Sequence, residues 1–235
     1  MFRLAVALIS AMVVVIPAAP AFAAGNDPVD VALDPGHSRV DVGAAGGGLR
    51  EYRLTLDLAQ RLEARLEAAG LRVRLTRQDD TPLSAMDDPS DNERTRIEQT
   101  ARIQAAMPAR LFVSLHFNGG PASLHGTETY FNPDRSPDGA AADRALADAL
   151  QRHVVAALRD SGYPALDRGV KTDLSAGKPY GHFFSLRGPA PSALVEALFL
   201  SNADDLAALR DDATLDAIAT GCAQGLLEYL AGEPV

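Results

Sequence analysis

The sequence predicts an α/β fold: a single domain with a twisted, mostly parallel sheet and helices on both faces. Three observations predict it. Short apolar runs alternate with helical patterns along the chain. The runs "VAL" and "LFVSL" read as buried core strands. Between "VALDPGHS" and "LRVRLTR", Leu54, Leu58, Leu62 and Leu66 recur every four residues. That is one helix face, so the segment is a strand–helix–strand unit whose strands run parallel.

The elements follow in order. Residues 1–23 read as an export signal: Arg3, then the apolar "LAVALISAMVVVI", then "PAAPAFA" with small Ala21 and Ala23. The apolar run is short for a membrane span, and polar sequence follows it. No leucine-rich box ends in a cysteine, so no lipid or membrane anchor is expected. The mature domain is then residues 24–235, in the periplasm, with secretion as the alternative.

In "VALDPGHS" a core strand is stopped by Asp34-Pro35-Gly36, and His37 follows directly. "RVDVGAAGGGLR" reads as a glycine-rich loop, a mobile rim. The leucine-striped helix closes at Gly70. "TPLSAMDDPSDNE" is a polar connection, residues 94–106 a helix, and "RLFVSLHFN" a second core strand that also ends on a histidine. "GTETYF" is a strand, residues 139–159 an alanine-rich helix, and "DRGVKTDLSAGKPYG" a loop. "HFFSLR" and "SALVEALF" read as strands, "ADDLAALR" and "DATLDAIATGCAQGLLEYLAG" as helices.

No linker, repeat or low-complexity tail interrupts this pattern, so one domain, and a monomer, is expected. The net charge of −9 argues against holding nucleic acid or an anionic membrane by bulk electrostatics. An anionic polymer would have to be gripped locally. Cys222, the only cysteine, excludes an intrachain disulfide and falls in an apolar helical pattern, so it reads as a buried small side chain.

His37 and His116 end two separate strands. In open α/β sheets ligands gather at the carboxyl ends of strands. There two histidines and a carboxylate make a catalytic zinc set with an open fourth position. Glu51 opens the helix after the His37 loop and is the candidate third ligand. Its alternative is a first-turn carboxylate complementing the helix dipole. Glu196 interrupts the apolar "ALVEALFL", where a charge is costly unless paired or near a metal. It reads as a general base, or else as half of a buried salt bridge with Arg187 or Arg168.

Other chemistry competes poorly. There is no G-x-S-x-G elbow and no H-E-x-x-H. Ser114 shares a strand face with His116, but no elbow presents it. His125 is placed at the cleft mouth, His182 beside "FFSL" and His153 on a helix surface; each has an ordinary structural reading.

Four segments in order, "LDPGHS", "LREYRLTLDLAQRLEARLEAAGLRVRLTR", "LFVSLHFN" and "PSALVEALFLSNADD", resemble the zinc-dependent N-acetylmuramoyl-L-alanine amidases of the type 3 family. "GTETYF" and "DRGVK" fit between them in the same order. The resemblance implies one α/β domain with a catalytic zinc. It implies hydrolysis of the amide joining N-acetylmuramic acid to the L-alanine of the stem peptide, in peptidoglycan or muropeptides. Carried over by position, His37, Glu51 and His116 would hold the metal. Glu196 would take a proton from water and pass it to the leaving nitrogen. Asn118 and Arg187 are assigned to substrate binding.

The chain departs from the family pattern in places. Ser38 stands where a glycine is usual, and Leu198 where another is. The arginine and "AN" pair before the second histidine are blurred, and "TDLSAGKPYGH" reads as extra residues. The segment after "TETYF" is short, so no helix plugging the site is expected there. Two alternatives stay open: a zinc peptidase or other N-acyl amidase on the same site, and a non-catalytic wall-binding protein.

Overall fold

The strands form where apolar residues can be covered from both sides. The computed structural model describes residues 27–85, 87, 88 and 90–232. The export signal read at residues 1–23 lies outside them. In chain order the elements are β1 (Val29–Pro35), a small hairpin of β2 (Ala45–Gly46) and β3 (Leu49–Arg50), α1 (Glu51–Ala68) and β4 (Val73–Leu75). Then come α2 (Asn92–Ala106), β5 (Ala109–Asn118), β6 (Thr127–Phe131) and α3 (Pro137–Asp160). The chain ends with β7 (Asp167–Thr172), β8 (Ser192–Phe199), α4 (Ala203–Ala208) and α5 (Asp212–Gly232).

The six-stranded sheet has the order β4-β1-β5-β8-β6-β7. The first four strands are mutually parallel, and β6 and β7 run the other way, parallel to each other. On one face Leu58, Leu62 and Leu66 of α1 meet Val31, Leu33, Val113 and Leu115, together with Leu146, Leu150 and Val154 of α3 and Ile218 and Leu226 of α5. Each such leucine contributes about 1.5–3 kcal/mol by burial. Cys222 is in this core, and burial pushes its thiol up to about 12.

The opposite face is thinner and carries the candidate residues His116 and Glu196. Successive strand residues alternate sides, so Phe112, Ser114 and His116 of β5 all point there. Phe112 packs with Ala32, Ala106 and Ala190 beneath α2. Further along, Tyr130 and Leu194 meet Leu186 and Phe183.

Three expectations change. "HFFSLR" is not a strand; Phe184–Arg187 is a turn of 3-10 helix. It is apolar because Phe183 and Leu186 cover the sheet face. The Phe183 N–H goes to the Asp173 carboxylate, 2.9 Å away, rather than to a strand. "DRGVKT", expected as loop, is edge strand β7. It reads as polar because Arg168 and Lys171 reach the Glu128 carboxylate. The glycine-rich stretch holds the β2–β3 hairpin, with Gly46 backed against the Leu200 carbonyl.

Candidate functional site

The site begins with a strained turn. Pro35 ends β1, and Gly36 N–H still donates to Leu115 O at 2.9 Å. A Cβ at Gly36 would fall 2.4–2.7 Å from the His116 ring, so only glycine fits. His37 then has φ +65°, a region costly for a non-glycine residue. Two buried arginines hold it. Arg102 donates to the carbonyls of Pro35 and His37, both at 2.7 Å. Arg77 donates to Pro35 O at 3.0 Å and Gly36 O at 3.1 Å. Arg102 is itself neutralised by Asp34 at 3.1 Å and Glu98 at 2.9 Å.

That turn aims His37 at Glu51, the first residue of α1. Glu51 Oε1 lies 3.2 Å from His37 Nε2 and 2.9 Å from His116 Nδ1, and accepts Phe117 N–H at 3.0 Å. Its Oε2 accepts Ala44 N–H at 2.6 Å. The carboxylate is therefore fixed at both oxygens. His37 Nδ1 is engaged by Asp41 Oδ2 at 2.7 Å, which leaves Nε2 facing Glu51. A Cβ at Gly43 would collide with both Glu51 and His37, so the loop closes tightly on the cluster.

Burial alone would lower the His37 pKa, but the Glu51 and Asp41 carboxylates outweigh it and push the imidazole up to about 10. Burial would raise Glu51, yet the two histidines hold it well below the usual carboxylate range. A site that draws a proton this strongly suits a cation. The ligand atoms of His37, Glu51 and His116 lie within 4.8 Å of one another. Two imidazoles and one carboxylate, with Asp41 orienting the first imidazole, fit a zinc-type donor set.

Glu196 stands beside this cluster. In the register of the sheet His116 is opposite Glu196, and Glu196 is opposite Glu128. The three side chains form one row on the thin face. Glu196 Oε2 is shielded from solvent and has no hydrogen-bond partner. The salt bridge weighed from sequence does not form. Arg168 donates to Glu128 at 2.6 Å, and Arg187 to the carbonyls of Tyr180 and His182, both at 2.8 Å. Burial first, then the charges of Glu51 and Glu128, push the Glu196 carboxyl well above its ordinary value.

The remaining candidates have other partners. Asn118 donates to Glu128 at 2.7 Å. Arg187 clamps the 180–182 turn and stacks on Phe184, with its guanidinium carbon 4.5 Å from the ring centre. Ser114 donates to Asp34 at 2.8 Å, fully buried. His153 pairs with Glu228, and His182 sits between Asp173 and Asp134. His125 lines a separate surface hollow of about 530 Å³ with Arg159 and Leu166. Sequence reading missed Asp41, Arg102, Arg77 and Glu128. Only Asp41, four residues after His37, carried a local signal.

A His-Glu-His cluster that fits a cation lies at the carboxyl edge of an α/β sheet, with a half-buried, unpaired glutamate alongside, the arrangement expected of a hydrolase of the metal-site type. The sequence profile of one family, described as N-acetylmuramoyl-L-alanine amidase, matches residues 31–228, and the chain belongs to that family. It is 33% identical over 199 residues to N-acetylmuramoyl-L-alanine amidase LytC of Bacillus subtilis, covering 84% of this chain and 34% of that protein. The chain thus spans about a third of LytC. It is 27% identical to the germination-specific N-acetylmuramoyl-L-alanine amidase of the same organism, covering 86% of this chain and 81% of the relative. The solved catalytic domain of CwlV, an N-acetylmuramoyl-L-alanine amidase from Bacillus (Paenibacillus) polymyxa var. colistinus, superposes with a TM-score of 0.68 at 31% identity. That match covers 87% of this chain and 99% of the CwlV domain.

Proposed function

We propose that this protein is a zinc-dependent amidase. It hydrolyses the amide between N-acetylmuramic acid and L-alanine in peptidoglycan or its muropeptide fragments, after export to the periplasm. The observation that carries the reading is the unpartnered Glu196 carboxylate beside the His37–Glu51–His116 cluster. A shielded carboxylate oxygen without a partner is expensive, and a carboxyl whose pKa is pushed upward holds a proton more readily, which suits a general base.

His37, Glu51 and His116 would hold the zinc. When bound, the metal supplies Lewis-acid polarisation of a carbonyl and acidification of a water. Glu51 is anchored by two backbone N–H groups, which would hold it in place for the metal. Asp41 fixes the His37 ring so that Nε2 is the donor atom. Glu196 Oε2 takes a proton from the attacking water and returns it to the departing alanine nitrogen.

The test is a digest of purified peptidoglycan by the protein, with zinc or with a chelator, read by mass spectrometry. Stem peptides beginning at L-alanine, lost with chelator, are expected. Cleavage within the stem would indicate a zinc peptidase. Intact glycan-linked peptides in both conditions, with muropeptides also untouched, would contradict catalysis.

A further inference from the structure

Charge does not balance around Glu196. Its neighbour Glu128 receives two cations on a single oxygen: Arg168 Nε at 2.6 Å, and the Lys171 ammonium. The other oxygen is filled by Asn118 Nδ2 and Tyr130 OH, both at 2.7 Å. One carboxylate therefore faces two cations. Arg168 spends only Nε on it. Its Nη1 and Nη2, the fork that matches a carboxylate, have no protein acceptor among the described residues.

Arg168 lies at the carboxyl edge, and Lys171, one pair further in, reaches the same Glu128 oxygen. Because β7 runs against β8, its first residues sit where β8 ends. The Arg168 guanidinium carbon is 5.0 Å from the centre of the Phe199 ring, the last residue of β8. A third cation comes from the loop between β7 and β8. Lys178 Nζ lies 5.9 Å from the Phe183 ring centre, and Phe183 meets Tyr130 edge-on at 5.4 Å. Tyr130 in turn donates to Glu128, so Lys178 borders the same patch. Lys178 is exposed and has no carboxylate partner among the described residues. In a chain of net charge −9, three cations beside the two carboxylates Glu128 and Glu196 are a local excess that draws an anion.

We propose that Arg168, Lys171 and Lys178 form a subsite for a carboxylate of the substrate, on the Glu196 side of the metal cluster. This rests on the amidase reading. The group is then the free α-carboxylate of the second residue of the stem peptide. Glu128 is a positioning residue that holds Arg168 and Lys171 in place. A stem whose carboxylate is converted to a primary amide offers no charge and is discriminated against.

Two synthetic N-acetylmuramoyl dipeptides test this. Each carries L-alanine followed by an acidic residue, with its α-carboxyl either free or as the carboxamide. Zinc-loaded wild type, K178Q and R168Q are assayed for kcat and KM on both. Binding of both is measured by calorimetry to E196Q and to E196Q/K178Q.

Wild type is expected to favour the free acid by about tenfold in KM, the worth of one charge-assisted hydrogen bond. K178Q and R168Q should each shrink that preference, with far smaller changes on the carboxamide. K178Q alters an exposed side chain and keeps the test valid if R168Q folds poorly. Cleavage of both compounds with equal KM would overturn the subsite and leave the amidase standing. Equal loss on both compounds in K178Q would overturn it as well. Preferential binding of the free acid, reduced in E196Q/K178Q, with no cleavage of either by wild type, would keep the subsite and remove the amidase reading. No binding and no cleavage of either would remove both.

Discussion

Asp34, fully buried, and Glu196, half-buried with its Oε2 shielded from solvent, are carboxylates on the strands flanking β5, on the same face of one sheet, and the fold treats them in opposite ways. Asp34 accepts from Thr76 Oγ1 at 2.7 Å, Ser114 Oγ at 2.8 Å and Arg102 at 3.1 Å. Against its burial, Arg102 and these hydroxyls hold its carboxyl below the ordinary range. Glu196 has no donor at Oε2, and its carboxyl is pushed up. On the proposed reading, the difference separates a scaffold carboxylate from a reagent. A satisfied carboxylate braces the His37 turn through Arg102. One left wanting a proton is available to move one.

The comparison breaks most sharply at Glu196. E196Q should lower kcat by about 10²–10⁴-fold, the worth of a general acid–base group, while zinc stoichiometry stays unchanged. It should also raise the melting temperature of the metal-free protein near neutral pH. The sign follows from proton binding. The native state holds the Glu196 proton more tightly than the unfolded chain does. Stability is therefore lost as pH rises from the unfolded to the folded pKa, and glutamine removes that loss. A lower melting temperature for E196Q would place Glu196 with Asp34, as scaffold.

Next in size is the brace. R102M strands Asp34 and Glu98 without their cation, and breaking a buried pair costs about 3–5 kcal/mol. Denaturant unfolding measures this. The His37 turn loosens in the same variant, so zinc affinity should fall in competition with a chromogenic chelator. Loss of stability with intact zinc affinity would separate the brace from the site.

A smaller effect is expected at the hydrogen bond that orients His37. D41N should weaken zinc binding by about 10–100-fold, as losses of outer partners do, with little change in unfolding free energy. The same competition assay reads it. In the smallest case, L62A removes a leucine from the thick core, far from the chemistry. It should cost about 2–5 kcal/mol by unfolding yet leave kcat at permissive temperature unaltered.

Much of this was legible in the sequence, for local reasons. Strand-end histidines declare themselves because apolar runs stop at "DPG" and "FN". Glu196 declares itself because a charge inside "ALVEALF" has no surface to occupy. The leucine stripe of α1 fixed the first βαβ unit. What was hidden depends on distant partners. Arg102 sits in a helix rich in charged residues and reads as solvated, yet it is buried against Asp34, 68 residues away. Nothing local in "TETYF" marks Glu128, whose cations Arg168 and Lys171 lie 40 and 43 residues further along the chain. The same pair explains β7, whose lysine and arginine made an edge strand look like a loop. The turn at Phe184–Arg187 looked like a strand because its apolar side chains cover the sheet without joining it.

The most direct measurement is a titration of the two carboxyls in the metal-free protein. Selective ¹³C labelling of glutamate and aspartate, read by NMR, gives Glu196 and Asp34 separately once E196Q and D34N assign them. The account predicts that Glu196 titrates well above the ordinary carboxylate range while Asp34 titrates below it. Ordinary, matching values for the two would contradict it.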